Sequence, residues 1–254
     1  MNRLNRIILK NICRVPSTFG KLFRYAAHPD RYTKEEKYSI IQYIVERTEK
    51  TGNLSIEVFG KENIPQENGF IFYSNHQGIF DGFAMVKACD RPFSPVIKVE
   101  LIKIPLVKQI FLCLDSMPMN REDVKQSLKV ILEVTDRVKR GENCLIFPEG
   151  TRSRQGNQLL DFKGGSFKAA VKSKAPIVPV ALIDSYKPFD ENSTKPVTVQ
   201  VHILKPIEHI EYQNMKTIEI ADLVKNEIAG TIASYANKIP DVRCQQSMGI
   251  SDWK

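Results

Sequence analysis

Three observations predict an α/β fold: strand-length apolar runs that alternate with amphipathic helical ones, polar clusters at the ends of two of those runs, and a 42% hydrophobic composition. The arrangement they imply is a mostly parallel sheet covered by helices, preceded by an amphipathic helical N-terminal segment. Near-continuous apolar strands such as IFY and PIVPVALI are what a sheet buried on both faces requires. The 254 residues suffice for one domain with a sizeable core. The expected division is a helical segment over residues 1–50 and an α/β domain over residues 51–254.

Residues 1–24 carry Arg3, Arg6, Lys10, Arg14, Lys21 and Arg24 and no acidic residue. Leu4, Ile8, Ile12, Val15, Phe19 and Leu22 recur at spacings of three and four, one face of a helix that Pro16 is expected to bend or split. A cationic helix with an apolar face lies in a bilayer interface, so docking on a membrane surface with anionic lipids is expected. Packing of the helix on its own domain and a basic arm for nucleic acid are the alternatives. A second helix is expected over 34–50, then strands LSIEVF (54–59) and GFIFYSN (69–75), a helix DGFAMVKA (81–88) and a strand SPVIKV (94–99). Glu122 to Arg140 has the period of a helix, with Val124, Leu128, Ile131, Leu132 and Val138 on one face. NCLIF (143–147) is a strand, SFKAAVKS (166–173) a helix, APIVPVALI (175–183) and VTVQVHIL (197–204) strands, and about 216–237 a final helix.

The chain has 37 basic and 29 acidic residues, a net charge of +8, which points to anionic partners: nucleic acid, phosphorylated metabolites or a lipid surface. No recognised nucleic-acid fold signature occurs, and aromatic residues are not interleaved with a basic stripe, so nucleic acid is not expected. Five scattered cysteines without a CxxC pair argue against a disulfide framework and a zinc site. No apolar stretch reaches the roughly 18 to 20 residues of a membrane span, and the N-terminal run IIL is too short for a signal-peptide core. A peripheral location on the cytoplasmic face of the cell membrane is therefore expected.

Active-site groups in open α/β sheets collect beyond the carboxyl ends of strands, where two polar clusters fall here. In YSNHQGIFDG, His76 is suited to accept a proton near neutral pH, and Asp81, after a turn at Gly78, can fix one ring nitrogen so that the other meets a substrate hydroxyl. No G-x-S-x-G elbow is present, so direct transfer to a second substrate's hydroxyl is favoured over a covalent intermediate. The bland alternative is a surface histidine and a helix-capping aspartate. In FPEGTRSR, the turn after CLIF presents Glu149 and backbone N–H groups, while Arg152 and Arg154 offer guanidinium forks to phosphate or carboxylate. Arg121, in MPMNRED, precedes a long helix and adds to its anion-attracting N-terminus. The plain alternative is a charged surface turn for FPEGTRSR and a simple capping turn for MPMNRED. His28, His202 and His209 lack metal-ligand spacing, and no metal is expected.

These segments resemble the glycerolipid acyltransferase family, in particular bacterial 1-acyl-sn-glycerol-3-phosphate acyltransferases. Four ordered motifs carry the resemblance: NHQGIFD (75–81), MPMNR (117–121), FPEGTRS (147–153) and APIVPVAL (175–182). The resemblance implies His76 as general base toward the free hydroxyl of lysophosphatidic acid and Asp81 as its orienting partner. It implies Arg121, Glu149, Gly150, Thr151 and Arg152 as binders of the acceptor's glycerol phosphate, with Lys98 as a further phosphate contact. The donor is an acyl-CoA or acyl-carrier protein, a substrate rather than a cofactor, and no cofactor is implied. Many relatives begin with a transmembrane helix that this chain lacks, which leaves anchoring to the amphipathic N-terminus. Residues 85–99 and 101–114 hold enough apolar side chains to line an acyl channel, although the same residues also suit plain core. Another acceptor (glycerol 3-phosphate or another lysolipid), a thioester hydrolase, and a non-catalytic basic lipid-binding module remain alternatives.

Overall fold

The structure, a computed structural model, describes residues 2–236. In chain order the helices and strands are α1 (Arg3–Lys10), α2 (Val15–Ala27), α3 (Lys34–Gly52), β1 (Leu54–Phe59), β2 (Ile71–Ser74), α4 (Asp81–Ala88) and β3 (Phe93–Lys98). There follow α5 (Val107–Cys113), β4 (Met117–Met119), α6 (Val124–Lys139), β5 (Asn143–Ile146), α7 (Lys168–Ser173), β6 (Ile177–Ile183), α8 (Lys187–Asp190), β7 (Val197–Ile203), α9 (His209–Tyr212) and α10 (Thr217–Ala236). The expected elements occur, with strand ends trimmed by a residue or two. The short α5 and β4 had no periodic signal of their own, and residue 237, the expected end of the last helix, lies outside the described residues.

The seven strands form one sheet in the order β1-β7-β6-β2-β5-β3-β4. Pairing is parallel except between β6 and β7, so β1 and β7 run opposite to the other five. Pro179 sits inside β6, where a missing N–H normally breaks a ladder. Its carbonyl accepts from Leu204 N at 2.9 Å, so its nitrogen also faces β7, where the regular pairing ends at Val180↔Ile203. The proline therefore leaves one half-made pair at the end of that ladder.

Period-two alternation splits the strand side chains between two cores. Phe70, Phe72, Leu145, Val178, Val180 and Leu182 pack with α2, α3 and α4 on one face, whereas Ile71, Tyr73, Cys144, Ile146, Ile177 and Ala181 pack with α6, α7 and α10 on the other. The apolar residues of 85–99 (Met85, Val86, Phe93, Val96 and Ile97) are buried core, so that stretch does not line a channel. In the second stretch, Ile104, Leu106 and Leu112 stay exposed.

The N-terminal segment differs in instructive ways from the expectation. Thr33 and Glu36 form a reciprocal capping box that starts α3, and Asn53 closes it in the left-handed conformation. Tyr38, Ile41 and Val45 of α3 and Leu22 of α2 belong to the main core, so α2 and α3 pack on the sheet. The helix splits at residues 11–14, and Pro16 lies in the first turn of α2, where its missing N–H costs nothing. Arg3 is buried; its guanidinium donates to the carbonyls of Gly52 (3.0 Å), Pro188 (3.1 Å), Lys187 (3.3 Å) and Lys195 (2.5 Å). That burial lowers it from its ordinary pKa. Arg6 donates to Thr51 O at 3.2 Å. Two of the six cations thus fasten α1 to the domain, while Lys10, Arg14, Lys21 and Arg24 remain exposed. Leu4, Ile8 and Leu9 of α1 and Ile12 of the turn after it are about half exposed.

Candidate active site

β6, β2, β5, β3 and β4 are parallel, so their carboxyl ends share one edge of the sheet. Residues 184–190 follow β6, His76 follows β2, Glu149 follows β5, Lys98 ends β3 and Arg121 follows β4. Segments more than a hundred residues apart therefore meet there, as parallel topology dictates.

The chain leaves β2 under close control. Asn75 is buried and takes the place of a peptide group: its amide donates to Leu182 O at 2.9 Å and its oxygen accepts from Leu182 N at 2.7 Å. His76 comes next, half-buried and stacked on Phe147 with ring centroids 4.3 Å apart. Its Nδ1 lies 2.6 Å from Asp81 Oδ2. Asp81 is fully buried in the first turn of α4, and its carboxylate also accepts from Gln77 N at 2.7 Å, from Gly78 N at 3.1 Å and from the Ser185 hydroxyl. With Nδ1 bound to an acceptor-only carboxylate, the neutral ring carries its proton there. Nε2 then has a lone pair, and among the described residues it has no hydrogen-bond partner. Gly78 is required by close approach, since a Cβ there would lie 2.5 Å from Asp190 Oδ2 and 2.8 Å from Tyr186 Cα.

The FPEGTRSR turn clamps the histidine backbone from the opposite side. Glu149 is buried; Oε1 accepts from His76 N at 2.9 Å and Oε2 from Leu160 N at 3.2 Å. Ser153 N donates to His76 O at 2.8 Å. Burial raises the Glu149 carboxyl above its ordinary value, against the lowering pull of those N–H groups and of His76. Both carboxylate oxygens are occupied by backbone, so Glu149 is placed as a brace rather than turned outward to a ligand.

The basic residues fall into two groups. Thr151 is exposed and Arg152 half-buried beside the dyad, with Arg152 Nη1 3.5 Å from Asp190 Oδ1. Gly150 has φ +74°, and the Lys163 ammonium crowds it: a Cβ on Gly150 would lie 3.0 Å from Lys163 Nζ. At the far end, Arg121 is partly desolvated, which lowers it, and Glu100 opposes that shift. Lys98, exposed, pairs with the same Glu100 at 3.1 Å. Glu100 thus gathers Lys98 and Arg121 at the β3–β4 end of the edge, whereas Arg152 and Lys163 belong to the segment that follows β5.

Sequence reading did not single out Lys163, Ser185, Asn157 or Asp190. Ser185 carries no motif, but it stands two residues beyond β6, the strand of the fourth motif, and the carboxyl-end rule alone would have flagged it. The buried His202, lowered to about 4 by desolvation, stays neutral, in keeping with a structural role.

A carboxylate-fixed imidazole with a free Nε2 at the carboxyl edge of a parallel sheet, with cations on the neighbouring segments, is equipment for taking a proton from a hydroxyl. A model of the Acyltransferase family matches residues 55–183, half of the chain, and the chain belongs to that family. It is 27% identical over 177 residues to the 1-acyl-sn-glycerol-3-phosphate acyltransferase of Borreliella burgdorferi, covering 69% of this chain and 70% of that one. To the probable 1-acyl-sn-glycerol-3-phosphate acyltransferase of Mycoplasma pneumoniae it is 24% identical over 225 residues, covering 83% and 84%. The match spans about half the length of the relatives from coconut and rapeseed. The fold is that of the crystal structure of the 1-acyl-sn-glycerophosphate acyltransferase PlsC from Thermotoga maritima, with a TM-score of 0.75, 22% identity, and coverage of 94% of this chain and 100% of that one.

Proposed function

We propose that the protein is a 1-acyl-sn-glycerol-3-phosphate O-acyltransferase, which moves a fatty acyl group from an acyl thioester to the free hydroxyl of lysophosphatidic acid and yields phosphatidic acid. The observation that carries this reading is the His76–Asp81 pair, whose Nε2 has no hydrogen-bond partner among the described residues, at the sheet edge whose segments also carry Arg152 and Lys163. The names of the relatives supply the substrate class.

Nε2 of His76 removes the proton of the acceptor hydroxyl as its oxygen attacks the thioester carbonyl, and the resulting imidazolium is stabilised through Nδ1–H by Asp81. The tetrahedral intermediate collapses with cleavage of the C–S bond, and the proton passes from Nε2 to the departing thiolate. Product ester and free thiol account for every atom. No enzyme nucleophile is needed. Cys144 is buried and pushed up to about 12, and Cys113 to about 11, so neither is a thiolate at neutral pH. Arg152, Thr151 and Lys163 form the nearer phosphate contacts, with Gly150 providing the turn; Lys98 and Arg121 receive charge farther along the edge. The donor is an acyl-CoA or acyl-carrier protein.

Among the described residues no helix is long and apolar enough to cross a membrane. Leu4, Ile8 and Leu9 of α1, Ile12 of the turn after it and the exposed Phe23 of α2 form the surface we assign to peripheral docking on the cytoplasmic face. Lys10, Arg14, Lys21 and Arg24 flank it, each worth about 1 kcal/mol near an anionic leaflet. Ile104, Leu106 and Leu112 extend the apolar surface beside α2, against which α5 packs.

The test is an acceptor panel with purified protein on vesicles: lysophosphatidic acid, glycerol 3-phosphate, a lysophospholipid with a headgroup, and water alone, with product read by mass spectrometry and thiol release in parallel. Phosphatidic acid formed preferentially from lysophosphatidic acid is the expected result. Thiol release independent of acceptor, or preference for another acceptor, overturns the assignment.

A further inference from the structure

The dyad has a third member supplied by the loop that follows the neighbouring strand, β6. The Ser185 hydroxyl, fully buried, donates to Asp81 Oδ1, the oxygen opposite the one that holds His76. A carboxylate only accepts, so the proton in this contact belongs to the serine. Ser185 is itself locked in place: its N–H donates to Gln77 Oε1 at 2.9 Å, and its hydroxyl also lies 3.2 Å from that oxygen. The Gln77 amide donates to Asn157 Oδ1 at 2.8 Å, which also accepts from Asp184 N at 2.8 Å. The Asn157 amide donates to Asp184 Oδ1 at 3.0 Å. Gln77 N returns to Asp81 Oδ2 at 2.7 Å. Three loops, from β2, from the segment after β5 and from β6, thus close a network of hydrogen bonds that ends on the carboxylates of Asp81 and Asp184.

Resting on the acyl-transfer reading above, we propose that Ser185 is a positioning residue of the reaction: its hydroxyl fixes the Asp81 carboxylate in the rotamer that aims Oδ2 at His76 Nδ1 and draws part of its charge away from the ring. Among the described residues no Lys or Arg pairs with Asp81, and besides His76 and Ser185 its donors are the Gln77 and Gly78 amides on the His76 turn itself. These move with the histidine and cannot fix the carboxylate relative to the sheet. Ser185 is anchored to β6 and can. The other charged groups facing this cluster are Glu149, Arg152 paired with Asp190, and Asp184 paired with Lys187 at 2.8 Å; Ser185→Ala leaves all of them unchanged.

The experiment is Ser185→Ala, which removes only the hydroxyl, read by kinetics and by the NMR titration of the His76 ring, whose resonance is assigned by its loss in His76→Ala. With less of its charge drawn off, Asp81 favours the imidazolium more strongly, so the ring signal of the variant titrates at higher pH than that of the wild type. In parallel, kcat falls about 10- to 100-fold, the loss of one hydrogen bond to a charged group read as a rate, while both substrate KM values stay within about twofold. Ser185→Cys, similar in size with a weaker donor, falls between wild type and Ser185→Ala, and replaces it if that variant does not fold. A folded variant with wild-type kcat, or one with lower kcat and an unmoved His76 titration, overturns the proposal. A shifted titration in a protein whose wild type acylates no lysolipid upholds the positioning and refutes the assigned reaction instead.

Discussion

Replacing Glu149 with glutamine separates two roles that the FPEGTRSR turn can assign to it. As a brace, its two oxygens satisfy the buried amides of His76 and Leu160. A carboxamide keeps one acceptor and turns an NH2 toward the other amide, so one buried N–H loses its partner. Leaving such a group unsatisfied costs about 1–3 kcal/mol, and for a chain of this size each kcal/mol lowers Tm by about 2–4 °C. The shift is larger if the His76 amide is the one orphaned, because the catalytic loop then loses one of its two ties to the turn. We expect Glu149→Gln to lose stability by that amount in urea or thermal unfolding, and kcat to fall while acceptor KM holds. The carboxyl is raised in the folded protein, so it holds its proton more tightly there than in the unfolded chain. Its contribution to stability is full below the unfolded value and is lost as pH rises through the folded one. Wild-type stability should carry this downward slope above about pH 4.5, and the glutamine variant should lack it. Wild-type stability with a raised acceptor KM would refute the brace and return Glu149 to the acceptor's phosphate site.

Arg3→Ala removes four contacts to backbone carbonyls and should destabilise by about 2–4 kcal/mol, given that buried acceptors left unmatched cost about 1–3 kcal/mol each before relaxation; unfolding at the wild-type urea midpoint would contradict this. The triple change Leu4→Ser, Ile8→Ser and Ile12→Ser touches only half-exposed side chains. It should leave Tm within a few degrees and cut vesicle partition by an order of magnitude or more, since each such side chain brings about 1.5–3 kcal/mol on full burial. Unchanged sedimentation with anionic vesicles would remove α1 from the docking surface. Lys163→Ala should raise the KM for lysophosphatidic acid about tenfold, the loss of one charge-assisted contact, without altering the donor KM; an unchanged acceptor KM would leave Arg152 alone at the near phosphate position.

Much of this was legible because parallel β-topology gives motifs a fixed address. Once NHQGIFD and FPEGTRSR were read as strand ends, their convergence followed, and β2 and β5 are neighbours. Strand order was not legible: nothing in LSIEVF shows that it pairs with residues 197–202. The outward or inward aim of a carboxylate was equally hidden. Glu149 in a turn sequence reads as exposed, and only the amides of His76 and Leu160, remote in sequence, turn it inward. Arg3 was misjudged for a related reason, since an amphipathic pattern shows which side chains share a face but not which face meets the domain. Ser185 was missed because a hydroxyl that serves a carboxylate 104 residues away leaves no local spacing to detect.

The central claim is that Nε2 of His76 takes the acceptor's proton. The direct measurement is single-turnover acyl transfer to lysophosphatidic acid on vesicles, comparing wild type with His76→Ala across pH. The expected result is phosphatidic acid and stoichiometric thiol from the wild type, with a rate that falls as the ring protonates, and no transfer above background from the folded variant. Near-normal transfer by His76→Ala would contradict it.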